Sequence, residues 1–215
     1  AGVRLEIKDI KFEGNEAYSD RKLTKKMKPL KEDKWWKILS KKVYKQSDYD
    51  EGIANVLAYY RKNGYTDVRV ISDSVFIYNY VKDLDGVGVT ITLEEGPQYK
   101  VRNITFDGNT VYTDEQLTAA LEFEEGDVFN QEKFELNLTF NKNSTDVTSL
   151  YQNIGYLFFN ATPTIEKVAE DSLDIYIDIY EDEIATVKEV GFTGNTKTHD
   201  DVVRRTLRTV PGNKY

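Results

Sequence analysis

Three six-residue stretches in this 215-residue chain follow one pattern: IKFEGN at 10–15, ITFDGN at 104–109 and VGFTGN at 190–195. The second and third copies align without a gap at an offset of 86. Val101 then falls on Val187, Phe106 on Phe192, Leu121 on Leu207, Gly126 on Gly212 and Phe129 on Tyr215. The first copy matches the second at an offset of 94, with its extra length around KPLKEDKWWKILSKKVYKQ. A second landmark recurs as LAYYRKNGY at 57–65 and TSLYQNIGY at 148–156. Self-similarity at this interval describes an array of small units built alike, so the fold is read unit by unit.

Within one copy, VRNITFDGN is a short β-branched and aromatic run that stops at Gly-Asn, which predicts a strand ending in a turn. Thr113 followed by Asp114, Glu115 and a Leu117, Ala120, Leu121 stripe predicts an N-capped helix. Asp20 with Leu23 to Met27, and Asp200 and Asp201 with Val203 and Leu207, repeat that signal. A long second helix is expected over 131–153, carrying Phe134, Leu138, Leu150 and Tyr151. Its counterpart carries Tyr49, Ile53, Val56, Leu57 and Tyr60. Gly64 and Gly155 suit the left-handed position just past these helices.

Residues 87–93 and 173–179 alternate apolar and polar strictly, the pattern of a half-buried strand. The strand before is out of phase with itself. Val68 and Val70 share one parity while Ile71, Val75 and Ile77 share the other, which predicts a β-bulge near Val70 and Ile71. The unit is therefore β-α-α-β-β, an α+β fold with a three-stranded mixed sheet and two helices on one face. In the repeated motif, Gly14, Gly108 and Gly194 permit positive φ. Asn15, Asn109 and Asn195 turn the chain into the next helix, so these are structural turn residues.

Composition narrows the function. The absence of cysteine excludes disulfide and thiolate chemistry. No apolar run approaches the roughly 20 residues that cross a bilayer as a helix. The opening AGVRLEIKDIKF has no apolar leader region, so the chain reads as cytosolic or as a mature or excised piece. The net charge of −8 conceals a span, 21–45, in which eleven basic residues meet only Glu32 and Asp33. One reading is a solvated helix and loop. The other is a contact with a partner or lipid head groups through Trp35, Trp36, Lys37, Lys41 and Lys42. Nucleic acid is not an expected partner, because the acidic remainder repels a phosphate backbone.

No catalytic constellation emerges. His199 stands beside an expected helix start with no nucleophile logic and no second histidine. Glu94-Glu95 and Glu181-Asp182 recur at strand exits and read as solvated turn acids. The GVG at 86–88 lacks the third glycine and the helix of a dinucleotide loop. The expectation is a protein that is not an enzyme and holds no cofactor or metal.

An array of such units, opening I-x-F-x-G-N and carrying YYRKNGY (59–65) and EEGPQYKV (94–101), resembles the polypeptide-transport-associated (POTRA) family. Strings of these domains precede the membrane barrel of outer-membrane assembly factors of the BamA kind. WWKIL (35–39), YKQSDYDEGIANVLAYYRKNGY (44–65) and GVGVTITLEEGPQYKV (86–101) follow the order of the third of five such domains. The resemblance implies a third-type domain at 1–97, a fourth-type domain at 98–184 and the truncated start of a further one at 185–215.

It also implies a place in the periplasm of a Gram-negative bacterium, with attachment to the outer membrane through a C-terminal barrel outside this chain. The implied work is to bind unfolded outer-membrane β-barrel precursors and to dock accessory lipoproteins of the assembly complex. Clients would add a strand to the exposed edge after the second helix. The candidate edges are 66–77, with Val68, Val70, Ile71, Val75 and Ile77, and 157–166, with Leu157, Phe159 and Ile165. The alternatives are a POTRA array of a related secretion or import transporter, or a scaffold for a folded partner only.

Overall fold

The computed structural model describes residues 5–27, 46–81, 84–194 and 199–213. The chain divides into two units, Ala1–Lys100 with Val128–Glu132, and Val101–Asp127 with Lys133–Tyr215. Each holds one three-stranded mixed sheet with helices, the α+β architecture expected.

In the first unit, β1 (Leu5–Glu13), α1 (Asp20–Lys26), α2 (Gln46–Lys62), β2 (Arg69–Val81) and β3 (Leu84–Glu94) follow in that order. The strand order is β1-β3-β2, with β1 parallel and β2 antiparallel to the central β3. The alternation in β3 sends Val89, Ile91 and Leu93 to one face. There they meet Phe12 of β1, Leu23 of α1, and Tyr49, Val56 and Tyr60 of α2 in one buried cluster. Each such side chain contributes about 1.5–3 kcal/mol on leaving water, which is what holds the two helices to a small sheet. Gly52 in α2 is there for closeness: an added Cβ would lie 3.0 Å from the Met27 carbonyl at the end of α1.

The phase slip in β2 is a bulge where expected. Pairing moves from Val70↔Leu93 to Ser72↔Thr92 and leaves Ile71 without a partner in the register. Further register shifts, between Ile7 and Asp9 of β1 and between Asn79 and Val81 at the end of β2, were not expected.

In the second unit, β4 (Lys100–Asp107), α3 (Asp114–Leu121), α4 (Gln131–Thr139), α5 (Val147–Gln152), β5 (Asn160–Ala169) and β6 (Ser172–Tyr180) form a sheet of order β4-β6-β5. Leu173, Ile175 and Ile177 of β6 are buried with Leu117, Leu121, Phe134, Leu138, Val147 and Tyr151 of the helices. Thr113 caps α3 through a capping box with Gln116. Buried Asp174 of β6 accepts a two-pronged bond from Arg102 of β4, with Nε at 2.8 Å.

The single second helix expected over 131–153 is two helices. Asp146, fully buried, accepts from the Ser149 N–H at 2.9 Å, the Ser149 hydroxyl at 2.8 Å and the Asn141 N–H at 3.0 Å. The Asn141 side chain accepts from the N–H groups of Asn143 and Thr145 at 3.0 and 3.1 Å, and Ser144 takes φ 54°. Side-chain acceptors capture the N–H groups that a continuous helix would bond to carbonyls four residues back.

Beyond β6, His199 is itself the N-cap residue of α6 (Asp200–Thr206). Residues 187–193, the counterparts of 101–107 at the offset of 86, form no strand, and among the described residues no strand pairs with them. Two hydrogen bonds of the second copy nevertheless recur at the offset of 86. Gly126 N–H donates to Val101 O at 2.7 Å and Gly212 N–H to Val187 O at 2.7 Å. Val101 N–H donates to Asp127 O at 2.8 Å and Val187 N–H to Asn213 O at 2.9 Å.

Candidate functional site

The repeated motif is a pinned turn. Gly14 has φ +79°, and a Cβ there would lie 2.2 Å from the Leu93 carbonyl oxygen. Gly108 has φ +85°, and its Cβ would lie 2.2 Å from the Ile179 carbonyl oxygen. Only glycine lets the first strand of each sheet end against the backbone of the central strand. Asn15 then donates to the Tyr18 carbonyl and the Asp20 carboxylate, both at 2.8 Å. Asn109 does the same to Tyr112 at 2.9 Å and Asp114 at 2.8 Å. Gly194 shares the backbone with φ +85°, and among the described residues nothing lies within 4 Å of the Cβ position. Asn195 lies outside the described residues.

The recurrent acids are not simply solvated turn residues. Glu95 accepts from the Tyr60 hydroxyl at 2.6 Å and the Ala17 N–H at 3.1 Å. Glu181 accepts from the Tyr151 hydroxyl at 2.8 Å, from the Thr110 and Val111 N–H groups at 2.7 and 2.9 Å, and from the Thr110 hydroxyl. In each unit one carboxylate fastens the end of the central strand to the second helical segment and to the turn after the first strand. Burial opposes the charge on Glu181, but these donors outweigh it and hold its carboxyl below the ordinary range. Burial, then the carboxylate partner, pushes the Tyr60 and Tyr151 hydroxyls far up. Each hydroxyl and each carboxylate finds its partner within the fold, which reads as a structural role. The signal for them was present: Tyr60 and Tyr151 sit in the recurrent YYRKNGY and LYQNIGY stretches, and Glu95 and Glu181 are 86 apart.

Among the described residues, β2 pairs only with β3 and β5 only with β6, so the strand after the second helical segment is a sheet edge in both units. An edge presents a row of unpaired N–H and C=O groups that can take another strand. On β2, Ile71, Val75 and Ile77 are 59%, 48% and 61% exposed. On β5, Ile165 is 41% exposed. The other candidate residues serve the core. Val68 and Phe159 are buried, Phe159 stacking on Tyr151 with ring centroids 4.0 Å apart, while Val70 and Leu157 are half-buried. Val68, Leu157 and Phe159 precede their strands, and their N–H groups donate to the Tyr65, Gly155 and Tyr156 carbonyls, so of the four only Val70 lies on an edge strand.

Trp35, Trp36, Lys37, Lys41 and Lys42 lie outside the described residues. In the described part of the basic span, the Lys22 and Lys26 ammonium groups sit 4.3 Å from the ring centroids of Tyr18 and Tyr59. Burial, then neighbouring Tyr59 and Tyr65, pushes the Tyr18 hydroxyl up to about 12. Among the described residues, no cluster of three or more His, Asp or Glu is placed to hold a metal, and no helix is long and apolar enough to cross a membrane.

The geometry has parallels among known proteins. The family model POTRA, described as "surface antigen variable number repeat", matches residues 5–96 and 99–182. The outer membrane protein assembly factor BamA of Buchnera aphidicola is 28% identical over 217 positions, spanning 100% of this chain and 33% of that protein. The protein of the same name from Neisseria meningitidis is 24% identical, over 100% of this chain and 26% of its own length. The chain therefore spans a third or less of these relatives. The crystal structure of Haemophilus influenzae BamA POTRA3-5 superposes with a TM-score of 0.59 at 22% identity, covering 98% of this chain and 80% of that one, which shows a shared fold.

Proposed function

From the premise that this chain belongs to the POTRA family, we propose that it is the periplasmic array of an outer-membrane protein assembly factor. On this reading it holds unfolded β-barrel precursors in extended form and docks accessory lipoproteins of the same assembly. A C-terminal barrel outside this chain would tie it to the outer membrane. Residues 1–97 and 98–184 act as two complete domains, and 185–215 begin a further one.

The observation that carries the reading is the exposed edge in each unit, above all β2 with its apolar Ile71, Val75 and Ile77. Main-chain hydrogen bonds make few demands on sequence, so an edge takes many different clients, and alternate side chains add modest selectivity. The bulge at Ile71 interrupts the edge near its start and limits uncontrolled pairing.

Amide-resolved NMR of this chain, titrated with an extended peptide from an outer-membrane barrel strand, tests the proposal. Shifts concentrated on the edge strands, weak and tolerant of scrambling the peptide, are expected. Shifts confined to the helices, or a response only to a folded lipoprotein, would reduce the array to a docking scaffold.

A further inference from the structure

On the reading of the edges as client-pairing strands, we infer that the two edges are not equivalent: Pro163 closes β5 to strand addition and leaves client pairing to β2. Pro163 lies within β5, opposite Ile177, in a register unbroken from Asn160↔Tyr180 to Lys167↔Leu173. At an edge its missing N–H is harmless when that position faces away from the neighbouring strand. An added strand would make β5 an interior strand. The outward donor row would then be broken at Pro163, and the pyrrolidine ring would stand where an incoming carbonyl has to approach.

The rest of β5 points the same way. Glu166 and Lys167 follow, and Lys167 is paired opposite buried Leu173, which puts a charge on the inward side of the edge. Proline and inward charge are both devices by which sheet edges resist a further strand.

β2 carries no proline, and its inward acid, Asp73 opposite buried Ile91, is bonded within the fold. From Ser72 to Asn79 its register with β3 is continuous and free of proline. Its one acid in that stretch, Asp73, is engaged by the Tyr49 hydroxyl at 2.6 Å. Val75 pairs opposite buried Val89, so Val75 and Ile77 continue the apolar face of β3 outward. The partner that fits is an extended segment with apolar side chains at alternate positions, as a barrel strand has on its lipid-facing side.

The test compares this chain with its Pro163→Thr and Pro163→Ala variants. Amide hydrogen exchange is followed while an extended barrel-strand peptide is added, and circular dichroism melts establish that each variant is folded. The chain as it stands is expected to gain protection on β2 alone and to bind one peptide. Folded Pro163→Thr is expected to bind a second, with at least tenfold more protection on β5, and Pro163→Ala to follow it more weakly. Protection of β5 before substitution, or none after it in a folded variant, overturns the role of Pro163 while leaving pairing at β2 intact. No protection at either edge in any variant removes the pairing reading and this inference together.

Discussion

The Tyr60 hydroxyl donates to the Glu95 carboxylate at 2.6 Å across 35 residues of sequence, and Tyr151 donates to Glu181 at 2.8 Å across 30. Both rings are fully buried. The pair closes each unit by joining helix end, strand end and turn. Tyr60→Phe and Tyr151→Phe keep the ring and remove one charge-assisted bond, so each is expected to destabilise its unit by about 1.5–3 kcal/mol. Tyr151→Phe should fall at the low end, because Glu181 keeps its Thr110 and Val111 donors. Urea unfolding of each variant measures the cost.

The same pairs predict how stability responds to acid and base. Glu181, Asp146 and Asp174 have folded-state carboxyls below their ordinary values of 4.5, 3.8 and 3.8. Their contribution is complete above those values and is lost as pH falls below them and through the folded values. Tyr60 and Tyr151 are raised above 10.0, so their contribution is complete below pH 10 and is lost as pH rises beyond it. The melting temperature should be flat between about pH 5 and 9, and Glu181→Gln should soften the acid limb and, by removing the carboxylate that helps raise Tyr151, the alkaline limb as well. Melts from about pH 2 to 11 in constant salt, which cover both limbs, make the comparison.

The glycines of the repeated motif should not be equally replaceable. Gly14→Ala and Gly108→Ala put a methyl 2.2 Å from a carbonyl oxygen in addition to requiring positive φ. Each is expected to cost at least about 2 kcal/mol. Gly194→Ala, with a similar φ and nothing within 4 Å among the described residues, should cost only the conformational part, about 1–2 kcal/mol. Denaturation midpoints of the three variants give the ranking.

Asp146→Ala removes the cap of α5 and leaves the N–H groups of Asn141 and Ser149 without their acceptor. A loss of about 2 kcal/mol is expected, with Asp146→Asn recovering part of it because the amide oxygen still accepts. Calorimetry of both variants checks the order.

Much of this fold can be read from side-chain parity. The switch from Val70 to Ile71 announces the bulge in β2. The same switch separates Ile7 from Ile10 in β1, so its irregularity was legible too. The break between α4 and α5 was harder, because Asn137, Asn141 and Asn143 weaken a helical stripe without marking where it stops. What stops it is Asp146 gathering three donors. The tyrosine–carboxylate pairs depend on proximity across at least 30 residues, which recurrence hints at and only the fold establishes. Among the edge candidates, Val68 and Phe159 are apolar like Ile71 and Ile77. They lie just before their strands, where the turn after the helix tucks them into the core, and periodicity alone does not separate the two groups.

The most direct test of the account is disulfide mapping, which the absence of cysteine makes clean. Single cysteines placed along Ser72 to Ile77 of β2, and at exposed Glu51 of α2 as control, are allowed to react with a barrel-strand peptide carrying one cysteine. Strand pairing predicts cross-links at alternate β2 positions, shifting in step with the cysteine in the peptide, and little at Glu51. Cross-links as strong at Glu51 as on β2, or a β2 pattern with no two-residue period, would contradict client capture at this edge.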